Sequence, residues 1–138
     1  MMPYILVDSN VLLDVITEDK KWFEWSSAAI ARHAEENTLA INQIIYSEVS
    51  IRFNRIEDLE SALPENFIAR LPIPWEAAFL AGKCFLQYKQ RGGIRRSTLP
   101  DFFIGAHAIV ADLPLITRDT SRYRTYFPKM RLIAPEQS

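Results

Sequence analysis

Asp8, Glu48, Asp101 and Asp119 lie far apart in the chain, yet Asp8 and Asp119 follow short apolar runs, Glu48 sits one turn into a helix and Asp101 at the start of another. Asp8 directly follows Tyr-Ile-Leu-Val, and Asp119 follows Leu-Ile by the short step Thr117-Arg118. Each acid has an ordinary structural use. Asp8 and Asp119 suit helix caps. Thr98-Leu99-Pro100-Asp101 reads as a capping box with proline in the first turn. Glu48 has Arg52 one turn further on as an ion-pair partner. Two features argue for chemistry as well. Ile41, Ile44, Ile45, Glu48 and Val49 share one helix face, so Glu48 points inward, where a carboxylate must be paired, protonated or bound to a cation. All four acids also fall on one expected edge of a sheet, where they would repel and raise one another's pKa unless a divalent cation neutralised them. An all-oxygen donor set without a Cys or His cluster favours Mg²⁺ or Mn²⁺ over Zn²⁺.

The elements that must carry these acids are legible in outline. Residues 4–7 form a short apolar run bounded by Pro3 and Asp8, as expected of a strand buried on both faces. Asp8-Ser9-Asn10 starts a short helix through residues 11–15, and a second helix is expected over about 20–35. Residues 39–41, 67–71, 115–117 and 131–133 read as four further strands. Between them, helices are expected at about 43–53 behind the Asn42 cap, 57–63, 75–90 and 99–111, with Pro64 and Gly92-Gly93 as stops. Strand–helix alternation predicts one three-layer α/β/α domain over residues 1–138, with a mostly parallel sheet of about five strands. Ligands in such sheets bind beyond the carboxyl ends of the strands, where the acids stand.

Composition agrees with one soluble globular unit: 138 residues, 49% apolar and 24% charged. The lone cysteine, Cys84, forms no internal bridge and leans toward a reducing, cytoplasmic compartment. The N-terminal segment lacks the basic region of a signal peptide, and no apolar run approaches a membrane span. The net charge of −1 conceals a split: residues 1–82 carry 6 Lys/Arg against 13 Asp/Glu, and residues 83–131 carry 10 against 3. Either an anionic partner meets a basic face, or the two halves interleave and their charges mix. His107, on a helix apolar all round, reads as a core histidine, and Cys84 as packing. Gly82 and Gly105 read as close helix contacts. Asp14, six positions beyond Asp8, is expected to turn away toward solvent.

The segments YILVDSNVLLD, IYSEV, LPDFFIGAHA and LITRD together resemble the motifs of PIN-domain ribonucleases, over about residues 3–133, and most resemble the VapC-type toxins of toxin–antitoxin pairs. The resemblance implies a metal-dependent endoribonuclease in which Asp8, Glu48, Asp101 and Asp119 hold one or two Mg²⁺ or Mn²⁺ ions. It assigns Asn10 and Thr117 supporting positions beside the acids. It further implies RNA as substrate, with a 5′-phosphate and a 3′-hydroxyl left behind, an antitoxin protein that wraps the nuclease, and a homodimer. A basic residue of that partner would enter the acidic cleft and pair with Asp8 and Asp101.

Two surfaces are candidates for these partners. Lys89, Arg91, Arg95 and Arg96 bracket Gly92-Gly93 just before Asp101, a basic loop suited to phosphate contacts or simply to solubility. Trp22, Phe23 and Trp25 supply more aromatic surface than one core-facing stripe readily hides, and form an antitoxin-binding candidate. Other functions stay open: a PIN-like module that binds RNA or protein without cutting, or a housekeeping nuclease of RNA maturation. A haloacid-dehalogenase phosphatase would need an acid where Asn10 stands, and a receiver domain lacks its paired acids and late lysine.

Overall fold

The computed structural model describes residues 2–92 and 98–136. Five strands form the sheet: β1 (Tyr4–Val7), β2 (Thr38–Ile41), β3 (Ile68–Arg70), β4 (Leu115–Ile116) and β5 (Leu132–Ile133). Their order is β3-β2-β1-β4-β5, and every pairing is parallel. Parallel strands need crossovers, which seven helices among the described residues supply. They are α1 (Ser9–Ile16), α2 (Phe23–Ala34), α3 (Gln43–Ser50), α4 (Ile56–Ala62), α5 (Trp75–Gln90), α6 (Leu99–Val110) and α7 (Ser121–Arg124).

The chain leaves β1 toward β2 and β3, then returns past β1 to lay down β4 and β5. Right-handed crossovers in opposite directions place helices on both faces of the sheet and open a crevice beyond the ends of β1 and β4. Leu6, Val7, Ala40, Leu115 and Ile116 are fully buried in the central strands, which is why these strands read as unbroken apolar runs. Gly105 lies against Phe127, whose ring atoms occupy the space of a would-be Cβ. Burial and the Asn42 amide, 3.0 Å from its Nδ1, mark His107 as a core residue, its pKa lowered by burial. Cys84 is likewise buried, and burial pushes its thiol up.

Three expectations need correction, and one element is new. Helix α2 begins at Phe23 rather than Lys20, because the Asp19 carboxylate accepts the Lys21 and Trp22 N–H groups and holds a turn there. Gly82 faces open space instead of a neighbouring helix. Asp14 is buried, not solvated: its carboxylate accepts Ser26 Oγ at 2.7 Å and a two-pronged Arg118 guanidinium at 2.8 and 3.1 Å. Helix α7 is an added element, four residues long and too short to leave a periodic pattern. Among the described residues no helix is long and apolar enough to cross a membrane.

Candidate active site

Asp8 occupies the switch point of the sheet, immediately after β1, and is buried. Its main-chain carbonyl caps α1, so the helix-cap reading is correct as far as it goes. The side chain does more. Oδ1 accepts the Ser9 N–H at 2.8 Å, while Oδ2 accepts hydroxyls from Thr117 at 2.9 Å and Tyr123 at 2.7 Å. The Thr117 proton has no alternative destination, since its oxygen also accepts from Asn10 Nδ2 at 3.2 Å and from the Asp119 N–H at 3.1 Å. Asn10 in turn accepts the Arg118 N–H through Oδ1 at 3.3 Å. Asn10 and Thr117 thus clamp the end of β4 to the start of α1 and orient Asp8. Burial pushes the Asp8 carboxyl above its ordinary range, against the hydrogen bonds from Tyr123, Thr117 and Ser9.

Glu48 reaches the same edge from α3. Its partner is the Ser9 hydroxyl at 2.8 Å, not Arg52 one turn away. Burial raises its pKa, and the charges of Asp8 and Asp101 add to the rise. Asp101 serves two masters at the start of α6. Oδ2 accepts the Thr98 N–H at 3.0 Å and completes the capping box, while Oδ1 turns to the Arg122 guanidinium at 3.5 Å. Asp119 accepts Ser121 Oγ at 2.7 Å and Arg122 Nε at 2.7 Å. All four acids therefore meet at one edge, Asp8 and Glu48 joined through Ser9, Asp101 and Asp119 through Arg122. The four side chains present only oxygen donors, and burial is the main cause of the raised pKa at Asp8 and Glu48. Among the described residues no three of them already stand in closed coordinating geometry.

Ser9, Tyr123 and Arg122 belong to this site and escape sequence reasoning. Ser9 reads only as cap chemistry, and Arg122 and Tyr123 ride on the short α7. Lys89 and Arg91 end α5 exposed, their cations over the Phe85 and Tyr126 rings at 5.9 and 5.7 Å. Arg95 and Arg96 lie outside the described residues. Trp22, Phe23 and Trp25 are each half-buried, Trp25 packed on the core and Trp22 edge-on to it at 6.5 Å. The charged halves of the chain do interleave, through Arg118 with Asp14, whereas Arg122 pairs with Asp101 inside the basic half. A cavity of about 380 Å³ beyond β2 and β3, lined by Asn42, Tyr46 and Arg70 among others, contains none of the four acids.

The raised carboxyls give a stability prediction. A carboxyl whose pKa is higher folded than unfolded stabilises the fold when protonated, and that contribution is lost as pH rises through the folded value. In metal-free protein Glu48→Gln keeps an acceptor for Ser9 and removes the charge. It should melt higher than wild type at about pH 7.5, with the advantage shrinking toward about pH 4, where Glu48 is protonated in both states. A constant difference across that range in thermal melts would contradict the burial argument.

A parallel five-stranded sheet with carboxylates at its switch point defines an α/β protein whose candidate site lies at the strand ends. The sequence profile of the PIN domain matches residues 5–128, and the chain belongs to the PIN domain family. Among solved structures it resembles a chain of VapBC2 from Rickettsia felis, bound to a DNA fragment from its promoter. The TM-score is 0.73 at 18% identity, covering 96% of this chain and 99% of that one. It also resembles a chain of VapBC-1 from nontypeable Haemophilus influenzae, with TM-score 0.72, 17% identity and coverage of 95% and 97%. A toxin–antitoxin complex from Klebsiella pneumoniae gives TM-score 0.69, 22% identity and coverage of 97% and 99%. Comparison with curated proteins yields no match.

Proposed function

We propose that this protein is a metal-dependent endoribonuclease acting as the toxin of a type II toxin–antitoxin pair. The observation that carries the reading is the convergence of Asp8, Glu48, Asp101 and Asp119 at the switch point of a PIN fold. These four would hold Mg²⁺ or Mn²⁺. A divalent cation bound there supplies Lewis-acid activation of water and neutralises charge on the phosphate. The chain's own residues do the rest. Ser9 aims Glu48, Thr117 and Tyr123 fix the rotamer of Asp8, and Lys89 and Arg91 offer cations to the RNA backbone, with Arg95 and Arg96 in the same segment. The purified protein should cut single-stranded RNA in Mg²⁺ or Mn²⁺, stop in EDTA, and leave 5′-phosphate and 3′-hydroxyl ends. RNA bound but uncut in either metal would establish the binding-module reading instead.

The fold partners come from toxin–antitoxin complexes, which supports a protein antitoxin for this chain. The half-buried Trp22, Phe23 and Trp25 are its proposed seat. A separate face suits the homodimer. On α5, Ala77, Ala81, Cys84 and Tyr88 form the buried seam, while Trp75, Phe79 and Leu86 stand 86%, 69% and 50% exposed. With Gly82 between them, these three repeat at alternate spacings of four and three, the pattern of a helix–helix seam. Co-expression with the product of the neighbouring gene, followed by light scattering on the purified complex, separates the surfaces. Trp25→Ala should release the antitoxin and leave the nuclease dimeric, whereas Phe79→Glu should give a nuclease monomer. A dimer unaffected by Phe79→Glu would remove α5 from the interface.

A further inference from the structure

The carboxylate cluster already holds a cation, and that cation is part of the chain. Arg122 sits on α7, one turn beyond Asp119 and beside Tyr123. Its Nε lies 2.7 Å from Asp119 Oδ2 and its Nη1 3.5 Å from Asp101 Oδ1, so one guanidinium spans two of the four acids. Its charge is also felt at Asp8 and at Glu48. A guanidinium is planar, permanently charged and a donor only, so it satisfies carboxylate oxygens without competing for protons. Burial works against its charge, and Asp101, Asp119, Tyr123 and Asp8 together more than offset that penalty. Asp101 is 3% exposed, so its outward oxygen has little solvent to turn to when Arg122 leaves. Arg122 lies between Asp101 and Asp119.

We infer that Arg122 is a resident counter-cation, which competes with the divalent ion for Asp101 and Asp119 and must swing off them before the ion is held. The inference rests on the metal-site reading above. Arg122 balances the acids while the site awaits metal, and its side chain is 39% exposed, so a path toward the cleft mouth is open. There the freed guanidinium meets the incoming RNA phosphate, which favours its departure from the carboxylates. Metal and RNA would then enter together.

The test is Mn²⁺ binding to the purified full chain without RNA, followed by electron paramagnetic resonance of the free ion. Arg122→Met should bind Mn²⁺ about tenfold more tightly than wild type, as expected when one charge-assisted competitor is removed. Arg124→Met changes net charge equally on the same short helix but removes an exposed residue, and should leave the affinity near the wild-type value. Arg122→Lys keeps the charge but cannot span two carboxylates, and should fall between. In EDTA, Arg122→Met should melt below wild type, and Mn²⁺ should raise its melting temperature by more. If Arg122→Met and Arg124→Met bind Mn²⁺ alike, Arg122 is no competitor and the inference fails alone. If no variant binds Mn²⁺, the metal-site reading fails and takes this inference with it.

Discussion

Asp101→Asn should lower RNA cleavage by about a thousandfold, the rate equivalent of roughly 4 kcal/mol, while leaving the fold intact. The two oxygens of Asp101 have separate duties, which makes this outcome specific. Oδ2 accepts the Thr98 N–H and starts α6, and an asparagine carbonyl can take that place. The other oxygen faces Arg122 and the cleft, and an amide there carries two donors and no charge. Helix capping survives; the ligand does not. Asp8→Asn should inactivate equally but less cleanly. Three donors, from Ser9, Thr117 and Tyr123, converge on its two oxygens, so an amide nitrogen must face at least one of them. Thr117 cannot redirect its proton, because its lone pairs are already engaged by Asn10 and Asp119. Asp8→Asn should therefore melt further below wild type than Asp101→Asn, whose amide faces only the part-exposed Arg122. Wild-type cleavage by purified Asp101→Asn would remove Asp101 from the site.

Arg118→Met should destabilise the fold by about 3 kcal/mol near neutral pH, lowering the melting temperature by roughly 10 °C. The side chain of Asp14 is 3% exposed and that of Arg118 30%, so the two ends of this ion pair are unequal. Removing the arginine strands a buried carboxylate with only the Ser26 hydroxyl for company. Removing the carboxylate instead, as Asp14→Leu, leaves a guanidinium that can turn toward water while still packing on the Trp22 ring 5.4 Å away. Asp14→Leu should thus cost less, about 1–2 kcal/mol, and the double variant less than the sum of the two. Denaturant unfolding of the three variants decides the matter; equal costs would mean that the pair contributes through packing alone. Activity should fall with stability in Arg118→Met, because the Arg118 backbone lies between Thr117 and Asp119 and its N–H is held by Asn10.

The sheet and most helices are legible in the chain for a physical reason. Strands β1, β2 and β4 are buried on both faces and so are written as unbroken apolar runs, and Pro and Gly punctuate the helices that cross between them. The acids at the strand ends are legible because a carboxylate next to a buried strand is itself an anomaly. Glu48 shows this best, since the apolar residues that share its helix face argue against a solvent role from spacing alone. What stays hidden depends on pairings distant in the chain. Asp14 sits six positions from Asp8 and looks solvated, because nothing nearby marks Arg118, 104 residues later, as its partner.

The order of residues is enough to specify a parallel α/β fold, the strand ends as the candidate site, and four acids expected at that edge. Those features depend on local patterns of burial and polarity that each segment carries alone. Packing in three dimensions selects which oxygen of each acid is free, pairs Tyr123 and Thr117 with Asp8, and sets Arg122 as a bridge between Asp101 and Asp119. Hydrogen bonds and ion pairs of this kind join residues on separate elements. Their partners are chosen by how β1, β4, α6 and α7 meet at one edge, and no single stretch of the chain contains that information.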